Sequence, residues 1–350
     1  MNLNEIQPMP VVCRQSTINC AESCERKWFY RYRMGIRLRG VQYKEGATLG
    51  KIFHRFQLEG EGNEAKVLTW VRDKQGALMA QVDAGEDLDG ETQRLANNLT
   101  SLYKKAKVMA QIFWAKFPQP AYLETVAREI THQMEWEDLI LEGTLDKLLR
   151  NTQEDHDKDG WIRDYKSTGL PLALLFGGLP WSAQGRLYRI LADDYCKKNK
   201  IDLTIRGFIL DGILKPGIKC CKKDDKNAKD WKCPVEEAYL RRVTQWYKDY
   251  EVKADLDGQE VPKAMDSRGI FFTEPMYPAE LLKALSKIKR LASYSMHPTY
   301  FDRDITRMAC FVYQKKCIYH PLCDTASAQW GCLFDTKYKL INSAEAENEK

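Results

Sequence analysis

Asp164-Tyr165-Lys166 sets a carboxylate and an ammonium two residues apart in a stretch that reads as a strand. Side chains two apart on a strand share a face, so Asp164 and Lys166 point the same way. About eighteen residues earlier, Glu142-Gly143-Thr144-Leu145-Asp146 lies in another strand-like run. Asp146 on a neighbouring strand can meet the first pair. Two carboxylates hold hard cations through oxygen. A cation so held polarises a phosphate and acidifies a water. A lysine alongside orients that water and neutralises charge building on phosphorus. These residue types suit phosphodiester hydrolysis, although an isolated Asp-x-Lys on a strand edge is more often a solvated face.

The elements that must position these residues follow from periodicity. Ser16 or Thr17 caps a predicted helix running to about Met34. Leu49, Ile52, Phe53 and Phe56 recur at helical spacing within Ala47 to Gly60. Residues 64–84 and 92–117 also read as helices, and Pro118 and Pro120 end the run. Strands are expected over Tyr122–Met134, Leu139–Leu149, Trp161–Lys166 and Leu203–Leu214. Between the last two, Pro180–Cys196 is a helix with Trp181, Gln184, Tyr188 and Leu191 in threes and fours. Lys215–Lys232 reads as a lysine-rich inserted loop, helices follow at about 234–253 and 277–296, and a polar tail begins after Asn342. A hairpin, a strand, a crossover helix and another strand predict an α/β fold with a mixed central sheet flanked by helices.

Gly143-Thr144-Leu145-Asp146 followed by Asp164-Tyr165-Lys166-Ser167-Thr168 resembles the "G-x-x-D … D-x-K-T" signature of PD-(D/E)XK nucleases. The branch most similar is the RecB and AddB exonuclease group, with the CRISPR adaptation nucleases and phage relatives. Gly50-Lys51-Ile52-Phe53-His54 is similar to its helical "G-x-x-x-H" motif, and Gln184-Gly185-Arg186-Leu187-Tyr188 to its "Q-x-x-x-Y" motif. The resemblance implies a restriction-endonuclease-like core with catalytic Asp146, Asp164, Lys166, Gln184 and Tyr188. It also implies a Mg²⁺ or Mn²⁺ site formed by His54, Asp146, Asp164 and the main-chain carbonyl of Tyr165. One departure is the long helical stretch over 60–120, which the minimal fold does not require. It could form a lid or a DNA-facing wall. Glu129 and Glu142 are spare acids, read as supporting or solvated rather than as ligands.

Eleven cysteines are many for a chain with no secretory pattern, and clustered cysteines in a reducing compartment read better as ligands than as disulfides. Cys24-Glu25-Arg26-Lys27-Trp28-Phe29-Tyr30 resembles the N-terminal motif of the cluster-bearing nucleases of this branch. Cys310, Cys317 and Cys323, preceded by Phe301-x-Arg303, resemble its C-terminal triplet. Four thiolates suit a [4Fe–4S] cluster or tetrahedral Zn²⁺; the resemblance favours the cluster. Either one would staple residue 24 to residue 310 and be structural, since closing a long loop restricts the unfolded chain. Cys20, Cys332 and His320 are competing ligands. Cys220, Cys221 and Cys233 could hold a second metal or be free thiols.

The expected organisation is an N-terminal helix with the cluster cysteine (1–46), a helical region with the His motif (47–121) and a nuclease core (122–300) with its insert at about 215–233. A cluster-binding segment (301–335) and a tail (336–350) complete it. Hydrophobic residues at 44% and charged residues at 29% exclude a disordered chain, and no apolar run approaches the roughly 18–20 residues a membrane span needs. A cytoplasmic location is expected, in a bacterial or phage-infected cell. The net charge of +5 leans only mildly toward nucleic acid. More pointed are two basic clusters, either of which could neutralise phosphates. Lys215, Lys219, Lys222, Lys223, Lys226, Lys229 and Lys232 lie in the insert, diluted by Asp224, Asp225 and Asp230. Arg26, Lys27, Arg31, Arg33, Arg37 and Arg39 crowd one segment, the favoured one. Trp28, Phe29, Tyr30 and Tyr32 interleave there, mostly as core aromatics, with one available to stack on a base. The reading is a deoxyribonuclease, exonuclease-like, on DNA ends or single strands, with recombination, repair, replication or phage proteins as partners. The alternative is an inactive DNA-binding subunit that has kept the fold.

Overall fold

The computed structural model describes residues 10–38, 45–85, 90–177, 183–252, 263–272, 278–294, 297–302, 310–312, 315–325 and 327–341. Arg39, Trp181, Arg303 and the tail from Asn342 lie outside the described residues.

The chain opens with β1 (Val12–Cys13), α1 (Gln15–Ser23), α2 (Glu25–Trp28), a π turn over Phe29–Arg33 and β2 (Ile36–Leu38). Helices α3 (Glu45–Glu59), α4 (Glu64–Asp83) and α5 (Glu91–Lys116) come next. The central part runs β3 (Leu123–Trp136), β4 (Leu139–Asn151), β5 (Asp159–Thr168), α6 (Leu172–Gly177), α7 (Ala183–Lys198) and β6 (Thr204–Leu214). Then come α8 (Lys222–Trp231), α9 (Val235–Val252), β7 (Met265–Phe271) and α10 (Ala279–Ser293). The last elements are β8 (Phe311–Val312), β9 (Lys315–Lys316), α11 (His320–Asp324), α12 (Gly331–Thr336) and β10 (Tyr338–Leu340).

The expected helices and strands stand within a few residues of these bounds, with two corrections. The single helix predicted from Ser16 or Thr17 to Met34 starts at Gln15 and breaks at Cys24, which is extended at φ −165°, ψ 114°. The cause is a tertiary contact: Arg26 N–H donates to the carbonyl of Asp302 at 3.1 Å instead of to the preceding turn. The lysine-rich loop contains α8, because Asp224 caps that helix through Cys221 N–H (2.8 Å) and binds Arg242 of α9.

The central sheet is mixed. β3 pairs antiparallel with β4 along nearly its whole length, β4 antiparallel with β5, β5 parallel with β6, and β6 antiparallel with β7. The β4–β5 ladder is short. It runs from Arg150↔Gly160 to Lys147↔Arg163 and stops. Beyond it, β1 takes the edge of β4, at Ile140 and Leu141, while β5 stays with β6 through Thr168↔Leu214. The strands therefore part at Asp146 and Asp164.

Helices flank the sheet. α7, α10 and α1 share one apolar core with β4, β5 and β6, through residues such as Leu187, Leu191, Leu145, Ile162 and Leu210. α3, α4, α5 and α9 form a second core with Ile213 and Met265. The first core continues into a seam between the N- and C-terminal parts of the chain. Phe29 stacks on Phe301 with centroids 4.2 Å apart, and Tyr30 lies edge-on to Trp330 at 5.6 Å. β2 pairs with β10, and the Tyr319 hydroxyl donates to the Ile36 carbonyl at 2.9 Å. No helix among the described residues is long and apolar enough to cross a membrane.

Candidate active site

Where β4 and β5 separate, the backbone N–H of Tyr165 loses its ladder partner on that side. The Asp146 carboxylate supplies one, with Oδ2 accepting from Tyr165 N–H at 2.8 Å. The same oxygen accepts from His54 Nε2 at 2.8 Å. Asp164, fully buried, accepts at Oδ1 from Gln184 Nε2 (2.7 Å) and from Lys166 Nζ (3.0 Å). Four segments thus meet at one gap: α3 with His54, β4 with Asp146, β5 with Asp164 and Lys166, and α7 with Gln184.

Two glycines of the predicted motifs are explained by close approach. A Cβ at Gly143 would stand 2.7 Å from Leu191 Cδ1 and 2.9 Å from Tyr188 Cε1. Only bare backbone lets α7 settle on β4, and Tyr188 of the Q-x-x-x-Y motif fills the space that Gly143 leaves. Tyr188 hydrogen-bonds to Gln184 and lies within electrostatic reach of Asp164 and Asp146. A Cβ at Gly50 would meet Ser167 Oγ at 2.6 Å, so Gly50 brings α3 against β5 one turn before His54.

The electrostatics follow from burial and proximity. Burial pushes Asp164 up to about 6 and the charge of Asp146 adds to this, against the pull of Lys166 and His54. Burial alone would lower His54 and Lys166. The Asp146 hydrogen bond and both carboxylate charges raise His54 instead, and Asp164 and Asp146 raise Lys166.

The donor chemistry fits a divalent cation. Asp164 Oδ2 is buried with no hydrogen-bond donor, balanced by the Lys166 ammonium 2.7 Å away and by the more distant His54. Such an oxygen is a ligand for a hard cation, and His54 and Asp146 stand within electrostatic reach of it. As they stand, no three His, Cys, Asp or Glu side chains among the described residues are gathered closely enough to ligate one ion. His54 and Lys166 hold the carboxylate charges instead.

The spare acids have structural partners. Glu142, buried, accepts from Arg14 and Gln133, while Glu129 pairs with Arg55 at 2.7 Å. Three arginines of the first segment, partly buried, hydrogen-bond to backbone carbonyls. Arg26 Nε donates to the Phe301 carbonyl at 3.2 Å and Arg33 Nη2 to that of Ala292 at 3.1 Å. Arg37 donates to the carbonyl of Arg31, and Lys27 is half-buried. None of them lines either cavity that adjoins Lys166. Trp28, Phe29 and Tyr30 are buried as core aromatics, while Tyr32 is partly exposed, with the Arg31 guanidinium 5.5 Å from its ring centroid.

Across the seam, Cys24 lies at the helix break and Cys317 N–H donates to the Cys310 carbonyl at 2.7 Å. Cys317 is raised by burial and by the charges of Cys24 and Cys310; Cys323 acts on Tyr30, as does Cys24. None of the eleven cysteines is in a disulfide. Thiols are the donors that a thiolate-bound group takes, although no three cysteines among the described residues stand close enough together to ligate one ion. Cys20 joins this neighbourhood, feeling Cys24 and Cys317, with burial raising it to about 11.

A splayed mixed sheet with Asp and Asp-x-Lys at the parting, and a helix behind, has the architecture of a restriction-endonuclease-like nuclease core. The chain belongs to the PD-(D/E)XK nuclease superfamily, whose family model matches residues 15–324. No curated protein sequence matches it. Among solved structures, the chain is similar to protein VC1899 from Vibrio cholerae at 14% identity, over 64% of this chain and 60% of that one, with a TM-score of 0.17. It spans less than two thirds of that protein, and the likeness is too low to carry an argument.

Proposed function

We propose that the chain is a metal-dependent deoxyribonuclease, exonuclease-like, that acts on DNA ends or single strands and carries a structural [4Fe–4S] cluster. The observation that carries the catalytic reading is the meeting of His54, Asp146, Asp164, Lys166 and Gln184 where β4 and β5 part. His54, Asp146, Asp164 and the Tyr165 carbonyl would hold Mg²⁺ or Mn²⁺, and when bound the ion supplies positive charge to the phosphate and acidifies a water. Gln184 holds the Asp164 carboxylate in one orientation. The Lys166 ammonium, partly exposed, orients the attacking water and meets the negative charge that develops on phosphorus. Tyr188 keeps Gln184 in place. Intact superfamily machinery favours an active enzyme over a silent DNA-binding subunit.

The test uses end-labelled single- and double-stranded DNA and a closed circle, with Mn²⁺, Mg²⁺ or chelator. Progressive shortening of linear DNA, no cutting of the circle, and silence in chelator are expected. Hydrolysis that persists in chelator, or full activity in purified Asp164→Ala, removes the assignment. The cluster has its own test. Protein purified without oxygen should be brown and hold about four irons per chain. A colourless protein with one zinc would put Zn²⁺ at Cys24, Cys310, Cys317 and Cys323 and leave the nuclease reading standing.

A further inference from the structure

A cavity of about 480 Å³ opens beside the carboxylates, lined by His54, Tyr165 and Lys166. Much of the rest of its wall is cationic or aromatic: Lys51 from α3, Trp70 and Lys74 from α4, and Lys215 just after β6, with Glu129 the one acid, held by Arg55. α4 belongs to the long helical stretch between the His motif and the first long strand. Arg55, the one arginine there, is committed to Glu59 and Glu129. Lys51, Lys74 and Lys215 have no carboxylate partner among the described residues. Lys74 and Lys215 are half-buried, and Lys51 repels Lys74. Three ammoniums on one cavity wall, none paired with a carboxylate, favour a bound anion there. Gly50 helps to set this up: a Cβ there would come 3.2 Å from Lys215 Nζ, so the bare backbone lets that lysine lie along α3.

Trp70 adds a second chemistry. Its indole is partly exposed on the cavity, with Lys74 Nζ 5.6 Å from the ring centroid. An aromatic plate beside ammoniums is how proteins hold single-stranded nucleic acid, with the base stacked and the phosphate paired. A base inside a duplex has no free face to offer. Lys166 also lines a second cavity, of about 390 Å³, where the one other cation, Arg186, faces Glu280 at 3.8 Å and Glu22 adds a further acid. We propose that the cationic cavity is the subsite for single-stranded DNA next to the scissile phosphate, with Lys51, Lys74 and Lys215 each on a different backbone phosphate and Trp70 on a base. This rests on the nuclease reading and fixes the side on which the substrate strand lies.

The probe is fluorescein-labelled oligothymidylate, with binding to the full chain read by anisotropy in chelator across a salt series. Removing Lys51 and Lys74 together (each to Met) should flatten the plot of log Kd against log salt by about 1.4, at roughly 0.7 per phosphate contact on a single strand. Lys215→Met should flatten it by about 0.7. Trp70→Ala should weaken binding roughly 5- to 150-fold, with Trp70→Phe keeping most of it, while an abasic strand of equal length is unaffected. Unfolding midpoints near wild type certify the variants. An unchanged slope in a folded Lys51/Lys74 variant, or equal loss of the abasic strand in Trp70→Ala, overturns the subsite. Manganese-dependent cleavage by the wild type, run in parallel, keeps the two readings apart. Cleavage with an unaltered salt slope sinks the subsite alone; altered slopes without cleavage sink the nuclease alone.

Discussion

Asp164 holds its charge where water does not reach it. One carboxylate oxygen has no hydrogen-bond donor, and the group relies on a lysine two residues away on its own strand. An arrangement of that kind is costly to the fold and is kept for chemistry. Asp164→Asn should therefore lower cleavage by at least about 10³-fold, the scale of losing a preorganised charge. The thermal midpoint of the metal-free protein should not fall. Mn²⁺, which should raise the wild-type midpoint by binding only the folded form, should leave the Asn variant unmoved. A clear drop in midpoint without metal would make Asp164 a structural residue. Strand parity alone put Asp164 and Lys166 on one face, whereas His54 and Gln184 were singled out only by the resemblance of their helical motifs, since either residue by itself reads as an ordinary helix position. Lys51, Lys74, Lys215 and Trp70 were not legible as a group: they come from three separate elements, and only packing brings them to one cavity.

At the scale of elements, the parting of β4 and β5 depends on α7 resting on Gly143. Gly143→Val should cost about 1–3 kcal/mol, as overpacking a tight contact does, read from urea melts. It should also lower cleavage, since Gln184 moves with its helix; unchanged stability would mean that α7 yields without strain. α8 offers a pH test. The Arg242 hydrogen bonds, ahead of opposing burial, hold the Asp224 carboxyl below the usual range. Its contribution is then full above the unfolded value of about 3.9 and is lost as pH falls through the lower folded value. Asp224→Asn should cost about 1–3 kcal/mol at pH 7, and the gap to wild type should close below about pH 4. A gap that persists there would rule out the ionic origin. The long strands β3 to β6 and the helices around them were readable from periods of two and of three to four. The break at Cys24 was not, since its cause is Asp302, far along the chain. β7 was missed because Met265–Phe271 carries Asp, Ser, Arg and Gly, a polar run that becomes a strand only by pairing with β6.

The whole molecule is closed by a seam rather than by neighbouring elements. If the cluster sits there, Cys24→Ser, Cys310→Ser, Cys317→Ser and Cys323→Ser should each lose iron and about 2–5 kcal/mol of stability, the scale of opening a covalently closed loop. Cys196→Ser, in α7, should keep its iron. Cys20→Ser is the informative control, because Cys20 lies near Cys24 and Cys317: iron retained supports Cys24 as the ligand, and iron lost moves that role to Cys20. The seam has a further consequence, in the time order of synthesis. β2 has no partner until β10 exists, about 300 residues later. At the roughly 5–20 residues per second of a ribosome, Phe29 and Tyr30 wait on the order of 15–60 seconds for Phe301, Tyr319 and Trp330. During that interval a nascent chain displays an aromatic face with nothing to cover it, and an interrupted chain displays it indefinitely. Premature termination upstream of Phe301 should therefore give insoluble product even when the whole catalytic sheet has been made.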